Sequence, residues 1–218
     1  METFISKANP SAGGNIVLTR EMLRLGLPEL YTRRVRLRQL RTEDYPALER
    51  ILSDPLVIQY VNRIRKPAYA RMRRLVAQIK ISADSLDSLH FAVEWHQRNT
   101  GDSNLLGESN ELTSSPLLGI VSFQQWNERT GEAQLGYILD RPFWGQGLAT
   151  EVVGEMLNFG FGSLKLKRIE SRCQEDNQAS KRVLMKNKMR LLRTIGAYDP
   201  SGEVPSVLVF SMTQGDYA

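Results

Sequence analysis

Hydrophobic and polar residues alternate along several short segments of the chain, as they do in strands that bury one face. Val35, Leu37 and Gln39 lie on one side of such a segment and the arginines between them on the other, which predicts a strand over residues 35–40. Five further segments of similar length and apolar content are predicted to be strands: 90–95, 117–125, 133–139, 168–173 and 207–212.

Other segments place apolar residues three or four positions apart, which is the spacing of one face of a helix. A helix over residues 68–82 is predicted by Met72, Leu75, Val76 and Ile79. The same spacing predicts a helix over 148–161. Three shorter helices are predicted over 20–27, 43–52 and 179–188, and Thr42 is the expected cap of the second.

The order of these elements limits the fold. Several strands follow one another without a helix between them, which excludes a doubly wound parallel sheet. We therefore predict an α+β domain with a mixed sheet and one parallel crossover through the helix at 148–161. Residues 1–18 show little pattern, and we divide the 218 residues into an N-terminal extension, 1–30, and one domain, 31–218. The polar segment 97–116 is predicted to be a long hairpin loop.

Composition removes several classes of protein. The single cysteine, Cys173, allows no internal disulfide and no thiolate zinc cluster, and two histidines are too few to favour a metal site, so we expect no metal. No apolar run approaches the roughly 18–20 residues of a membrane span. The first residues lack the basic start and apolar core of a signal peptide. We therefore expect a cytoplasmic protein that does not enter a membrane.

The net charge of +5 is uneven, because arginine is frequent in the first third of the chain. These arginines either lie on solvated faces of helices and strands or attract an acidic partner such as RNA, a ribosomal surface or a phosphorylated cofactor. Direct binding of nucleic acid is the weaker interpretation, since the sequence has no zinc knuckle, recognition-helix motif or series of stacking aromatic residues.

One turn carries candidate chemistry. Gly145 and Gly147 separate the strand that ends near Leu139 from the helix that begins near Leu148. Such a turn directs several backbone N–H groups at one point, where the helix dipole also favours negative charge. The pattern predicts an anion site that suits a pyrophosphate. It lacks the Gly-Lys-Ser/Thr ending of a P-loop and the third glycine of a dinucleotide-binding turn.

The segment Trp144-Gly145-Gln146-Gly147-Leu148-Ala149 resembles the acetyl-CoA-binding motif of the GNAT superfamily, Gln/Arg-x-x-Gly-x-Gly/Ala. Gly147 and Ala149 match the motif, whereas Trp144 replaces the Gln or Arg. This form looks like the branch that contains ribosomal-protein N-terminal acetyltransferases. Three further segments of this chain resemble that branch in the same order, so that the resemblance spans about residues 32–212: they are 32–38, 168–173 and 177–183.

The resemblance implies a mostly antiparallel mixed sheet of six to seven strands, with helices on both faces and a splay near a bulge at the cofactor-binding strand. Acetyl-CoA would be the co-substrate. Its pantetheine would pair with main-chain groups in the splay, and the glycine turn would hold its pyrophosphate. The residues that the resemblance assigns to the cofactor are Ile138, Leu139, Trp144, Gly145, Gln146, Gly147, Leu148, Ala149, Thr150 and Asn177. Asn177 is equally suited to cap the following helix.

Acetyl transfer to an amine requires a proton acceptor, because alkylammonium groups have a pKa near 10. Members of the family often place a glutamate two residues before the Gly-Tyr pair of this strand, but Gln134 occupies that position here. Glu132, on the same strand face, is our candidate base, with a solvated strand end as its alternative. Ser180 and Tyr137 are candidate hydroxyl groups for the departing thiolate, and packing is the alternative for the tyrosine.

The sequence leaves two classes of acetyl acceptor open. The acceptor is either a protein N-terminus, of the ribosomal-protein type, or a small amine such as an antibiotic, a polyamine or an amino acid. A regulatory module that binds CoA without catalysis is a third interpretation, supported by Gln134 and by Lys188, which stands where the family usually has glycine. A monomer and a homodimer are both compatible with the sequence.

Overall fold

A computed structural model describes residues 17–61, 68–96, 116–196 and 206–217; the predicted loop at 97–116 lies almost entirely outside them. The strands are β1 (Leu30–Tyr31), β2 (Val35–Gln39), β3 (Ser88–Trp95), β4 (Gly119–Asn127), β5 (Glu132–Leu139), β6 (Arg168–Gln174), β7 (Arg190–Ile195) and β8 (Val207–Thr213). The helices are α1 (Arg20–Arg24), α2 (Tyr45–Ser53), α3 (Pro55–Ile58), α4 (Ala68–Ser85), α5 (Leu148–Gly162), α6 (Gln178–Lys186) and α7 (Gln214–Tyr217).

The strands form one sheet in the order β1-β2-β3-β4-β5-β6-β8-β7. Only β5 and β6 pair in parallel among the described strands, and α5 makes the crossover between them. The mixed α+β sheet is therefore confirmed. It has eight strands rather than six to seven. Strands β1 and β7 were not predicted, because β1 has only two residues and β7 is exposed at every position, so neither shows an alternating apolar pattern.

Apolar side chains cover both faces of the sheet. One cluster joins α5 to strand residues such as Phe91, Phe123 and Ile169, and the other joins α2 and α4 to Ala92 and Ile120. The approach of α5 to the sheet is close, since a Cβ at Gly160 would lie 2.7 Å from Ile169 Cδ1. Helices on both faces are thus confirmed, and the sheet is the layer between two cores. No helix among the described residues has the length and apolar content to cross a membrane.

Residues 17–30 pack against the rest of the structure. Leu23 of α1 belongs to the first apolar cluster and is 2% exposed, and the N–H of Leu18 donates to the carbonyl of Ser163. The division of the chain at residue 30 stays a prediction. Thr42 does not cap α2 as expected, because residues Thr42–Asp44 form a turn of 3-10 helix and the carboxylate of Asp44 accepts from the Arg41 N–H.

Arginines of β2 are engaged in internal ion pairs. Arg38 is 5% exposed, donates two bonds of 2.8 Å to Asp44 and a third of 2.8 Å to Glu94. Arg36 also pairs with Glu94 and lies 3.5 Å from Glu29. Burial opposes ionisation of Asp44, but the bonds from Arg38 and the Arg41 N–H lower its pKa. Arg38 is therefore not solvated, and both arginines are engaged by carboxylates of the chain rather than left for an acidic partner.

Helix α6 ends in a left-handed residue. Lys188 has φ of 60° and its N–H donates to Met185, while the Met189 N–H donates to Leu184 at 3.1 Å. These two bonds form a Schellman motif, in which glycine is usual at the position of Lys188. The end of the helix is therefore kept despite the lysine, and the buried Met189 anchors it.

Candidate active site

Strands β5 and β6 diverge halfway along their length. Their pairing runs from Glu132 opposite Arg168 to Leu135 opposite Ser171 and stops there. Ser171 Oγ donates to the Leu135 carbonyl at 2.9 Å, at the last paired position. Beyond it the strands border a cleft of about 820 Å³. The splay implied by the family resemblance is therefore present.

The alternation of β5 decides which main-chain groups face this gap. The carbonyl of Ile138 points to β4, where it would lie 2.1 Å from a Cβ on Gly119. The groups of Tyr137 and Leu139 point the other way, and the Leu139 carbonyl accepts from Trp144 Nε1 at 2.8 Å. The main-chain groups of Ile138 therefore face β4, whereas those of Tyr137 and Leu139 face the gap. Strand β4 has a bulge between Gln124 and Asn127, opposite the start of β5, and the described pairing shows no register shift at the splay, where the resemblance implies one.

The glycine turn follows β5 and leads into α5. Residues Arg141–Phe143 form a turn of 3-10 helix, after which Gly145 and Gly147 adopt φ of 75° and 78°. A side chain is strained in this left-handed region, which accounts for both glycines. Gly147 is the N-cap of α5, and the first N–H groups of a helix have no partner within it. The turn and helix end therefore present N–H groups and a positive dipole to the cleft.

Arg34 fixes this turn from the bend between β1 and β2. Its Nη1 donates to the Gln146 carbonyl at 2.9 Å, and its Nε donates to Glu151 at 2.8 Å. The Arg34 N–H also donates to Glu151, at 2.8 Å. Burial opposes ionisation of Glu151, but these bonds and one with Thr32 lower its pKa. The remaining nitrogen, Nη2, would lie 3.7 Å from a Cβ on Gly147, so the guanidinium, paired with Glu151, lies against the turn.

Helix α6 forms the opposite wall. Asn177 caps it, with Oδ1 accepting from the Ser180 N–H at 3.0 Å, and Asn177 also lines the cleft. Ser180 Oγ lies 2.7 Å from the hydroxyl of Tyr137. Burial raises the pKa of Tyr137 to about 12, against the effect of this bond. Burial also raises the pKa of Cys173, so this buried thiol stays protonated.

Basic residues and neutral polar residues complete the walls. The charged side chains among the described residues that line the cleft are Arg172, Arg182 and Lys186, and no carboxylate is among them. On the face of the sheet toward α4, the cleft is lined by Ser122, Gln124 and Gln134. Apolar residues of α3 and α4 line the cleft opposite them. The cleft therefore has a basic half beside α5 and α6 and a neutral half beneath α4.

Most of the residues predicted for the cofactor line this cleft. Those that do are Ile138, Leu139, Trp144, Gly145, Gly147, Leu148, Ala149, Thr150 and Asn177. Gln146 does not, because its carbonyl accepts from Arg34 and its side chain donates to the Pro142 carbonyl at 2.9 Å. Ser180, predicted for catalysis, does line it.

Glu132 is not brought to the cleft. It is the first residue of β5, five residues before Tyr137 and about 17 Å from it along the strand. Its carboxylate is exposed and lies 4.0 Å from Arg168 Nε. Gln134, which is closer, faces the cleft but is an amide. The geometry therefore does not support Glu132 as the base, and the alternative of a solvated strand end fits it.

Several residues of the site were not predicted from the sequence, and Arg34 and His90 are two of them. Arg34 lies in segment 32–38, which resembles the opening strand of the family, but the resemblance assigned no role to this arginine. His90 lines the cleft from β3, 30 residues before Ile120 of β4, and nothing in its own segment marks it. No cluster of metal-ligating side chains occurs within the described ranges.

Comparison with known proteins agrees with this arrangement. Residues 34–190 match the family model described as the acetyltransferase (GNAT) domain. The chain therefore belongs to the GNAT acetyltransferases, which are acetyl-CoA-dependent acyltransferases.

Particular relatives show how far the similarity extends. The chain is 27% identical over 195 residues to the uncharacterized N-acetyltransferase p20 of Bacillus licheniformis, covering 87% of this chain and 98% of that protein. It is 25% identical over 109 residues to the ribosomal-protein-serine acetyltransferase of Escherichia coli, covering 50% and 58%. The fold matches spermidine N-acetyltransferase from Vibrio cholerae in complex with CoA and spermine, with a TM-score of 0.64 at 16% identity, over 84% and 97% of the two chains.

Proposed function

We propose that the protein transfers the acetyl group of acetyl-CoA to the α-amine of a protein N-terminus. The observation that carries the proposal is the composition of the cleft, whose described lining has three cationic side chains and no carboxylate. A polyamine or an aminoglycoside brings several positive charges, which are costly to bury without carboxylates. A peptide end brings one charge and neutral amide groups, which Ser122, Gln124 and Gln134 are suited to bind.

Acetyl-CoA would supply the acetyl thioester, and the residues present fit it. The turn at Gly145 and Gly147, together with the start of α5, offers N–H groups for a pyrophosphate. The main-chain groups of Tyr137 and Leu139 offer an open strand edge for the pantetheine. Arg182 and Lys186 of α6 place positive charge at the same end of the cleft.

The hydroxyl of Tyr137 is the proton donor that this geometry supports for the departing thiolate. Burial keeps it protonated at neutral pH, because its pKa is raised to about 12. Ser180, at 2.7 Å, orients it and connects it to the N-terminal end of α6. In this proposal Ser180 is not itself the acid but orients the Tyr137 hydroxyl that donates the proton.

The similarity to a ribosomal-protein-serine acetyltransferase supports the same acceptor class. Two things distinguish the classes experimentally: where the acetyl group goes, and which amines compete for it. We would measure thiol release with peptides that begin with serine or alanine, with the same peptides blocked at the N-terminus, and with spermidine. Turnover of the free peptides, with the acetyl group located on the α-amine by mass spectrometry, is expected.

A small amine is the second candidate. The cleft volume of about 820 Å³ lies within the range of small-molecule sites. Efficient acetylation of spermidine or another small amine, with none of the peptides, would favour this candidate. Saturable acetyl-CoA binding without turnover of any amine would instead support a regulatory module.

A further inference from the structure

His90 has a hydrogen-bonding group that the described residues leave without a partner. It lies on β3 directly opposite Ser122 of β4, which in turn is opposite Gly136 of β5. The imidazole is 4% exposed, lines the neutral half of the cleft, and its Nδ1 is buried without a partner among the described residues. A buried polar atom without a partner is destabilising, so such atoms are usually met by a protein group, an ordered water or a ligand.

The tautomer of His90 follows from its other nitrogen. Ser82 Oγ lies 2.9 Å from Nε2, and the same hydroxyl donates its one hydrogen to the Ile79 carbonyl at 3.2 Å. We assign the Ser82 hydrogen to the Ile79 carbonyl, so that Ser82 accepts from Nε2 and Nε2 carries the proton. Burial lowers the pKa of His90 to about 4, so the ring is neutral and Nδ1 holds a lone pair. The orphaned group is thus an acceptor that needs a donor.

Small and polar residues that line the cleft lie beside His90 in the sheet. Gly136, in the same row across the sheet, has no side chain, and a Cβ there would lie 2.9 Å from Gln124 Nε2. Gln124 Nε2 donates instead to Ser122 Oγ at 3.1 Å. His90, Ser122 and Gln124, together with Gly136, line the part of the cleft that lies beneath α4 and beside β5.

We propose that His90 Nδ1 accepts a hydrogen bond from an N–H of the acceptor amine and holds that amine in the neutral half of the cleft. The proposal rests on the acetyltransferase function proposed above, but not on which amine is the substrate. A cation can approach a neutral lone pair where no described carboxylate faces it. The bond selects a group with an N–H over a quaternary ammonium of the same charge. His90 positions the amine, and no proton transfer is assigned to it.

Two substitutions test the two ring nitrogens of His90 separately. In H90N the side-chain amide reaches the place of Nδ1 and offers an acceptor there, whereas in H90Q it reaches the place of Nε2 and keeps only the contact with Ser82. H96Q is the matched control, because His96 packs edge-on against Tyr31, outside the cleft lining. Retained thermal unfolding and acetyl-CoA affinity would establish that each variant is folded.

The kinetic expectation is a change in acceptor KM. H90Q should raise KM for the amine by about ten- to a hundredfold, the effect of one hydrogen bond to a charged group, with KM for acetyl-CoA unchanged. H90N should recover most of this loss, and H96Q should match the unaltered protein. An acceptor KM that H90Q leaves unchanged would overturn the proposal. A peptide that is not acetylated while spermidine is would overturn the N-terminal acceptor only.

A spectroscopic test does not depend on turnover. The chain has two histidines, so 15N-histidine spectra of the CoA-bound protein are assigned with H96Q. Adding n-butylamine at neutral pH should move the Nδ1 resonance of His90, and tetramethylammonium, which has no N–H, should not. No shift with either, or equal shifts with both, would contradict the hydrogen bond even if acetyl transfer is confirmed.

Discussion

The two halves of the cleft differ in how the chain builds them. The basic half is formed by the end of β5, the glycine turn, the start of α5 and the facing side of α6, and much of its chemistry is carried by main-chain groups. The neutral half is formed by side chains from β3, β4 and β5 beneath α3 and α4. Main-chain groups at a turn are available to bind a ligand in any sequence that adopts the turn. The binding properties of a set of side chains, in contrast, change with each substitution. We therefore expect the basic half to define the family and the neutral half to define the acceptor.

The largest expected effect breaks the basic half. In G147E the residue at φ of 78° gains a side chain and a negative charge at the proposed phosphate site. Acetyl-CoA binding measured by calorimetry should be lost, by about a thousandfold or more, since both strain and charge oppose it. The control is Gly131→Ala, another left-handed glycine but outside the cleft lining. Binding that survives G147E would remove the turn from the cofactor site.

The next effect falls on the boundary between the halves. Y137F keeps the ring but removes the hydroxyl that lies 2.7 Å from Ser180 Oγ. Turnover should fall by about a hundredfold, the usual contribution of a positioned acid, while acetyl-CoA affinity stays constant. Y31F is the matched control, because that hydroxyl bonds to Glu29, outside the cleft lining. Unchanged turnover in Y137F at every pH would exclude Tyr137 as the donor.

A smaller effect measures how the basic half is held in place. R34A removes the bonds to the Gln146 carbonyl and to Glu151, so that the turn is no longer fixed against β2. Acetyl-CoA should bind about tenfold more weakly, with acceptor KM little changed. Arg193, which pairs with Glu170 at 3.1 Å, is outside the cleft lining, and R193A serves as the control. Equal affinities of the two variants would mean that Arg34 does not act on the turn.

The end of α6 offers a change in stability without a change in activity. K188G relieves the cost of a left-handed residue with a side chain and should raise the free energy of unfolding by about 1 kcal/mol. K188A keeps the Cβ and should show no such gain, which controls for the lost charge. Denaturant unfolding measures both. A destabilised K188G would mean that the lysine makes a compensating contact.

The smallest expected effect concerns Glu132. Its carboxylate is exposed, lies outside the cleft lining and sits 4.0 Å from Arg168 Nε. E132Q should change turnover by no more than about twofold, in line with surface substitutions generally. A large loss of turnover would return Glu132 to the mechanism and require that β5 or its neighbours rearrange when substrates bind.

Local sequence was sufficient for much of the fold and for one half of the site. The strand, glycine turn and helix over residues 133–161 were predicted closely, because the pattern, the glycines and the helix start are all local signals. Strand β7 was missed, since all six of its residues are exposed and no apolar alternation marks it. Glu132 lies outside the cleft lining for a different reason: the two-residue period put Glu132 and Gln134 on one strand face, but it could not show where along β5 the cleft begins.

By itself, the sequence determined the family, the order of the strands along the chain and the turn for an anion, because these depend on residues near one another and on backbone conformations that glycine permits. The tertiary structure alone decided that Arg34 fixes that turn, that Tyr137 lies beside Ser180, and that His90 lines the cleft with a nitrogen that no described residue pairs. These contacts join residues 43 to 117 positions apart, or depend on what a strand pairs with, and no local pattern encodes such distances.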